Sequence, residues 1–169
     1  YVPGAERWPA LRRWRLASPL RPGSGGAVLT LGAARLAPAI CVEAIRPAAF
    51  NAAVAAGAEL LVNLSDDSWF DSPWAAAQHL EMTRLRAVET RRWLLRASHS
   101  GMSAVVDARG RVVARRDYGR AGALAARAER RRELTPYVRG GDAPARFLAL
   151  LLGAWAVRRV PQEGNSRRV

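Results

Sequence analysis

Two apolar runs, Arg35 to Ile40 and Glu59 to Leu64, flank an alanine-rich segment that Pro47 opens and Gly57 closes. The runs have strand length, and proline at the first position with glycine past the end marks a helix between them. Strand, helix, strand in immediate succession implies an α/β layered fold. The first run ends in Ile40-Cys41-Val42-Glu43, and Cys41 is the only cysteine in the chain. It therefore falls on a strand-to-helix turn, which pushes a side chain out of the sheet edge and aims free backbone N–H groups at it. A helix N-terminus also favours thiolate over thiol. An activated sulfur with donors for an oxyanion is what a cysteine nucleophile needs. A lone buried cysteine is also commonly a small hydrophobe, so the decision rests on residues further along.

The rest of the chain extends this layout. Ala27 to Leu31 pairs with the next run around Gly32-Ala33-Ala34. Glu59 to Leu64 reads as a strand buried on both faces. Ser65 to Pro73 leaves its end, where open α/β sheets carry their sites. Ser72 as N-cap and Pro73 at the first position start a helix to about Arg92. Its inner stripe is expected at Ala77, Leu80, Leu85 and Val88, with Glu81, Arg84, Glu89 and Arg92 paired outside. Trp93 to Ala97, Ser103 to Asp107 and Arg111 to Arg116 read as a strand meander, with a weaker fourth strand over Gly122 to Ala128. Arg127 to Glu133 reads as a solvated connection, and Trp8 to Leu16 as a short helix or turn.

Composition narrows the function. All 27 basic residues are arginine, there is no lysine, and the net charge is +13. The arginines are scattered without aromatic interleaving or a zinc or RNA-binding motif, so solvated faces and an anionic membrane surface account for the charge better than nucleic acid. One cysteine excludes an internal disulfide and a four-cysteine zinc site, and two distant histidines make no metal motif. Ala143 to Val157 is apolar apart from Arg146. As a helix it would rise about 22 Å against a hydrocarbon core of about 30 Å. Its flanking arginines suit a membrane interface, and Arg167-Arg168 would place the C-terminus in the cytoplasm. The first residue is Tyr1, and the chain is expected to be a piece of a longer one.

Ile40-Cys41-Val42-Glu43 before a proline-initiated helix resembles the nucleophile turn of the nitrilase (carbon–nitrogen hydrolase) superfamily. Asn63-Leu64-Ser65-Asp66-Asp67-Ser68-Trp69-Phe70, then Gln78-His79, Met82, Arg84 to Glu89 and Leu94 to Ala97, resembles the apolipoprotein N-acyltransferase branch. Leu134 to Asp142 before an apolar helix is similar to that branch too, as is Tyr1-Val2-Pro3. The resemblance implies the C-terminal half of a nitrilase-type α-β-β-α sandwich over residues 1–138, a short transmembrane helix over 139–158 and a basic cytoplasmic tail over 159–169. It implies an enzyme of the bacterial inner membrane with its catalytic domain on the periplasmic side. Cys41 would take an acyl chain from a phospholipid as a thioester and pass it to the amino group of a diacylglyceryl-cysteine at a lipoprotein N-terminus, with no metal or cofactor. The family's Glu and Lys lie upstream of this segment, so the chain alone is expected to be inactive. Val42 stands where the family usually has Tyr, and His99 where it often has Asn.

The residues singled out are therefore Cys41 as nucleophile, Val42 (backbone N–H) and Glu43 as its support, and Asn63, Ser65, Trp69 and Phe70 as a substrate loop, with Asp66 beside them. Loop and cap hydrogen bonding accounts for Asn63, Ser65 and Asp66 at least as well as substrate contact. Trp69 and Phe70 suit either an acyl entrance or packing of the loop. His79 and His99 read as satisfied structural histidines. Two other readings stay open: a soluble nitrilase-type amidase, and a non-catalytic membrane-associated module.

Overall fold

The computed structural model describes residues 26–159. They form a six-stranded mixed sheet in sequential order: β1 (Leu29–Leu31), β2 (Ala34–Ile40), β3 (Leu60–Asp66), β4 (Trp93–His99), β5 (Ser103–Val106) and β6 (Val112–Arg116). β2, β3 and β4 are parallel, and antiparallel hairpins flank them on both sides. The β1–β2 hairpin closes on Gly32, whose φ of +57° suits a residue without Cβ. The two parallel connections are helices, α1 (Pro47–Ala55) and α2 (Pro73–Thr90). Ser72 caps α2 by accepting from the Ala75 N–H, with Pro73 at the first position, as the sequence predicts.

Both helices pack on one sheet face. Period-2 alternation turns Ala37 and Ala39, Leu61, Leu94, and Ala104 and Val106 towards Phe50, Ala53 and Val54 of α1 and Leu80 and Ala87 of α2. Small alanines on the strands let the helices approach closely, and Phe50 fills the space between. The opposite face is not covered in the same way: Ile40 is 66% and Leu64 56% exposed. The expectation that β3 is buried on both faces therefore fails at its C-terminal end, where Leu64 stays largely open.

Four further expectations are corrected. The stripe of α2 is rotated: Ala76, His79, Leu80, Thr83, Arg86, Ala87 and Thr90 are buried, whereas Leu85 and Val88 are exposed. The inner face is polar because it covers a polar site, which hydrophobic periodicity cannot register. Arg92 is fully buried rather than paired outside, donating to the carbonyls of Ala58, Thr90 and Glu133. Glu89 consequently pairs with Arg86, and Glu81 with Arg84. Gly122 to Ala128 forms no strand; its first residues face Val62, Leu64 and Leu95 across a cleft on the open sheet face. Arg127 to Glu133 is tethered: Arg132 and Arg130 reach the buried Glu59 at 2.6 and 3.9 Å. The Arg132 hydrogen bond holds the Glu59 carboxyl below its ordinary range.

α3 (Pro136–Gly140) packs on α1 and α2, with Val138 against the core. α4 (Ala143–Arg159) follows, with Phe147, Leu148, Leu150, Leu151, Leu152 and Trp155 all exposed. Among the described residues no helix is long and apolar enough to cross a membrane, so the expected transmembrane helix is not found. The 17 described residues of α4 rise about 26 Å. The short helix expected over Trp8 to Leu16 lies outside the described residues.

Candidate active site

Cys41 sits where β2 leaves the sheet, with φ of +48°. That left-handed conformation costs a non-glycine residue on the order of 1–3 kcal/mol unless its surroundings impose it. The chain does not enter α1 directly, as the sequence suggests. Cys41–Ile45 first makes a 3-10 turn, and α1 starts beyond Arg46. Three side chains impose this path. Glu43 Oε2 accepts the Ile40 N–H at 2.8 Å, closing the turn on itself. Asn63 donates its amide to the carbonyls of Ala39 (3.1 Å) and Cys41 (3.3 Å). Arg86 of α2 donates to the Ile45 carbonyl at 2.6 Å, so the turn is held at both ends.

Beneath the turn lies a buried polar network. Ala39, Asn63 and Arg96 are register neighbours on β2, β3 and β4, all on the face towards the helices. Arg96 donates to Asn63 Oδ1, to Asp67 Oδ2 (2.7 Å) and to the Met102 carbonyl (3.2 Å). Asp67 Oδ1 also accepts from Ser65 Oγ (2.7 Å) and faces His79 Nδ1 at 2.9 Å. Burial works against the Asp67 charge, but hydrogen bonds from His79 and Ser65 and the Arg96 guanidinium outweigh it, and the carboxyl is held well below its usual range. An ionised acid thus pairs with a guanidinium in the core, every carboxylate oxygen engaged.

In front of the network opens a largely apolar cleft of about 450 Å³, lined by Cys41, Val42, Ile45, Trp69, Phe70 and Met82 among others. Trp69 and Phe70 sit on a single 3-10 turn, Ser68–Phe70, held between Asp67 and the left-handed Asp71. Asp66 lies at the rim, its carboxylate capped by the Ser68 N–H at 3.0 Å and held below its ordinary range mainly by that bond. Cys41 Sγ is 4.0 Å from the Asp66 carbonyl.

Of the residues picked out in the sequence, Cys41, Val42, Trp69 and Phe70 meet in the cleft. Asn63 is fully buried beneath the turn and Ser65 bonds to Asp67, so neither lines the cleft. Glu43 is exposed and shapes the turn. His79 lines the cleft and is buried, but only one of its nitrogens has a partner among the described residues. His99 gives its carbonyl to the Asp67 and Gly101 N–H groups. Asp67 and Arg96 escaped the sequence reading. Their signal is alternation: counting inward positions from Leu61 and Leu94 puts Asn63 and Ser65, and Arg96 and Ser98, on the core face, where polar side chains need partners.

Residues 8–132 match the carbon-nitrogen hydrolase family. The chain belongs to it. Among curated relatives it is 38% identical over 125 residues to an apolipoprotein N-acyltransferase of Azotobacter vinelandii, covering 74% of this chain and 24% of that protein. It is 46% identical over 103 residues to one from Bordetella bronchiseptica, covering 60% and 19%. The chain thus spans a quarter or less of the length of these two relatives. A carbon-nitrogen hydrolase from Helicobacter pylori G27 superposes with a TM-score of 0.51 at 18% identity, over 58% of this chain and 41% of that one. This last likeness concerns the fold alone: an α/β nitrilase-type arrangement with a mixed sheet.

Proposed function

We propose that this chain carries the nucleophile segment of an apolipoprotein N-acyltransferase, with Cys41 as the acyl carrier. The carrying observation is a cysteine pinned in a left-handed turn at an apolar cleft with an aromatic rim. In the first half-reaction the Cys41 sulfur attacks the ester carbonyl of a phospholipid, the glycerol oxygen leaves with the thiol proton, and a thioester remains. In the second, the amine of a diacylglyceryl-cysteine attacks that thioester, an amide forms, and the thiol is regenerated. The Val42 N–H is the oxyanion donor in this reading, and Glu43 and Asn63 hold the turn. Trp69, Phe70 and Met82 give an acyl chain an apolar bed that a small amide would leave empty, which favours acyl transfer over hydrolysis by a soluble amidase.

The family's Glu and Lys come from outside this segment, so the chain alone is inactive in this reading. The bare Ile40 and Leu64 on the far sheet face suit the second layer of an α-β-β-α sandwich. The exposed apolar side chains of α4, from Phe147 to Trp155, suit a seat against the lipid of the bacterial inner membrane, with the cleft on its periplasmic side. The test is intact-mass analysis of the complete protein bearing this segment after incubation with phospholipid. A hydroxylamine-labile acyl adduct is expected on Cys41 and absent in Cys41→Ala. No adduct on the unaltered protein would end the reading.

A further inference from the structure

His79 belongs to α2 and lines the Cys41 cleft, yet only 6% of it is exposed. Its Nδ1 faces Asp67 Oδ1 at 2.9 Å, and Arg96 Nη2 lies 3.1 Å from the same nitrogen. The two contacts make opposite demands. A guanidinium only donates and would need a lone pair on Nδ1; a carboxylate only accepts and needs a proton there. The shorter contact, to a carboxylate held ionised, decides it. A neutral ring with its proton on Nδ1 keeps a lone pair on Nε2. That nitrogen is buried and has no hydrogen-bond partner among the described residues. An acceptor cut off from water and left unfilled is costly, so a group that fills it gains by binding there. The Phe70 ring packs on the imidazole at 5.6 Å with an interplanar angle of 88°. Phe70 is itself 40% exposed, on a one-turn segment that lines the cleft.

We propose that His79 Nε2 accepts a hydrogen bond from the attacking amine of the acyl acceptor and orients its nitrogen towards the Cys41 thioester. This rests on the acyltransfer reading above. The chemistry of the two substrates selects the amine. A lone pair requires an N–H or O–H donor, and a phospholipid ester offers only acceptor oxygens at its reacting carbonyl. A primary amine spends one N–H on Nε2 and keeps its own lone pair for attack. As nitrogen bonds to the carbonyl carbon the C–S bond breaks, its electron pair goes to sulfur, and the proton shed by nitrogen ends on the regenerated thiol. His79 keeps its own proton on Nδ1 throughout. It is a positioning residue for the second half-reaction, with Asp67 fixing its tautomer and Arg96 and Ser65 fixing Asp67.

The experiment uses the complete protein, a phospholipid donor and a diacylglyceryl lipopeptide acceptor. In His79→Asn the amide nitrogen takes over the bond to Asp67 but nothing stands at the Nε2 position. The KM for the lipopeptide is expected to rise about tenfold, the loss of one hydrogen bond, while the KM for phospholipid stays put. His79→Gln, which reaches the Nε2 position, restores most of the acceptor KM. An unchanged acceptor KM in His79→Asn, or an equal rise for both substrates, overturns the proposal. Should His79→Asn fail to fold, the unaltered protein still answers. A lipopeptide with a trimethylated amine, which has no N–H at any pH, should then inhibit about tenfold less well than one with a dimethylated amine, which keeps an N–H when protonated; equal inhibition overturns the proposal. Failure of the acyltransfer reading looks different, because the unaltered protein then forms no thioester at all, and this proposal falls with it.

Discussion

Replacing Arg96 by leucine tests the buried network without any appeal to function. The Arg96 and Asp67 side chains are wholly inaccessible, and the guanidinium serves Asp67, Asn63 and the Met102 carbonyl together. Leucine fills part of the volume and leaves Asp67 ionised without its cation. Removing one member of a buried pair costs about 3–5 kcal/mol. With a urea m-value of about 2 kcal/mol per molar for a chain of this size, the midpoint should fall by about 2 M at pH 7. The pH dependence carries the sharper prediction. Asp67 has a folded pKa below its unfolded value, so its stabilisation is fully present above the unfolded carboxyl range near pH 4 and is lost as pH falls below it. The variant lacks part of that stabilisation, so the gap between the two proteins should narrow from pH 7 down to pH 3. Urea unfolding followed by tryptophan fluorescence measures both. A cost under about 1 kcal/mol at pH 7, or a gap that does not change with pH, refutes the argument.

Two further substitutions probe the same core. A Cβ added at Gly101 would run into the Asp67 carboxylate and the Ser98 hydroxyl, so Gly101→Ala should destabilise by about 2–3 kcal/mol and also lower the thermal midpoint of the Arg96 variant by less than it lowers that of the parent. Additive losses would show that the two residues do not act on one network. Arg92→Met leaves the Ala58, Thr90 and Glu133 carbonyls without their donor. It should cost about 2–4 kcal/mol and raise hydrogen exchange over residues 127–135, and unchanged exchange there would mean the segment is held by Glu59 alone.

The fold was legible where local chemistry decides it. Pro47 and Gly57, Ser72 and Pro73, and the turn at Gly32 mark element ends through their own backbone preferences, and the strands fall within a residue or two of their expected bounds. The cleft was half legible: Cys41, Val42, Trp69 and Phe70, all singled out in the sequence, line it together, whereas Asn63 and Ser65 do not. The misses share one cause. Arg92 is expected as an exposed partner and Arg127 to Glu133 as a solvated connection, and each instead meets partners distant in the chain. The poor strand over Gly122 to Ala128 failed for the converse reason, since no neighbouring strand takes its backbone.

What the amino-acid order settled alone is the alternation of strands and helices and the placing of one thiol at a β-strand's exit. Those follow from steric and capping preferences that act over a few residues. Only the tertiary structure decided that Arg96 joins Asn63 to Asp67, that Asn63 holds the Cys41 carbonyl, and that one His79 nitrogen finds no partner among the described residues. Polar side chains carry no label of their partner in sequence. They find it through sheet register and helix rotation, which the packing of the whole chain fixes at once.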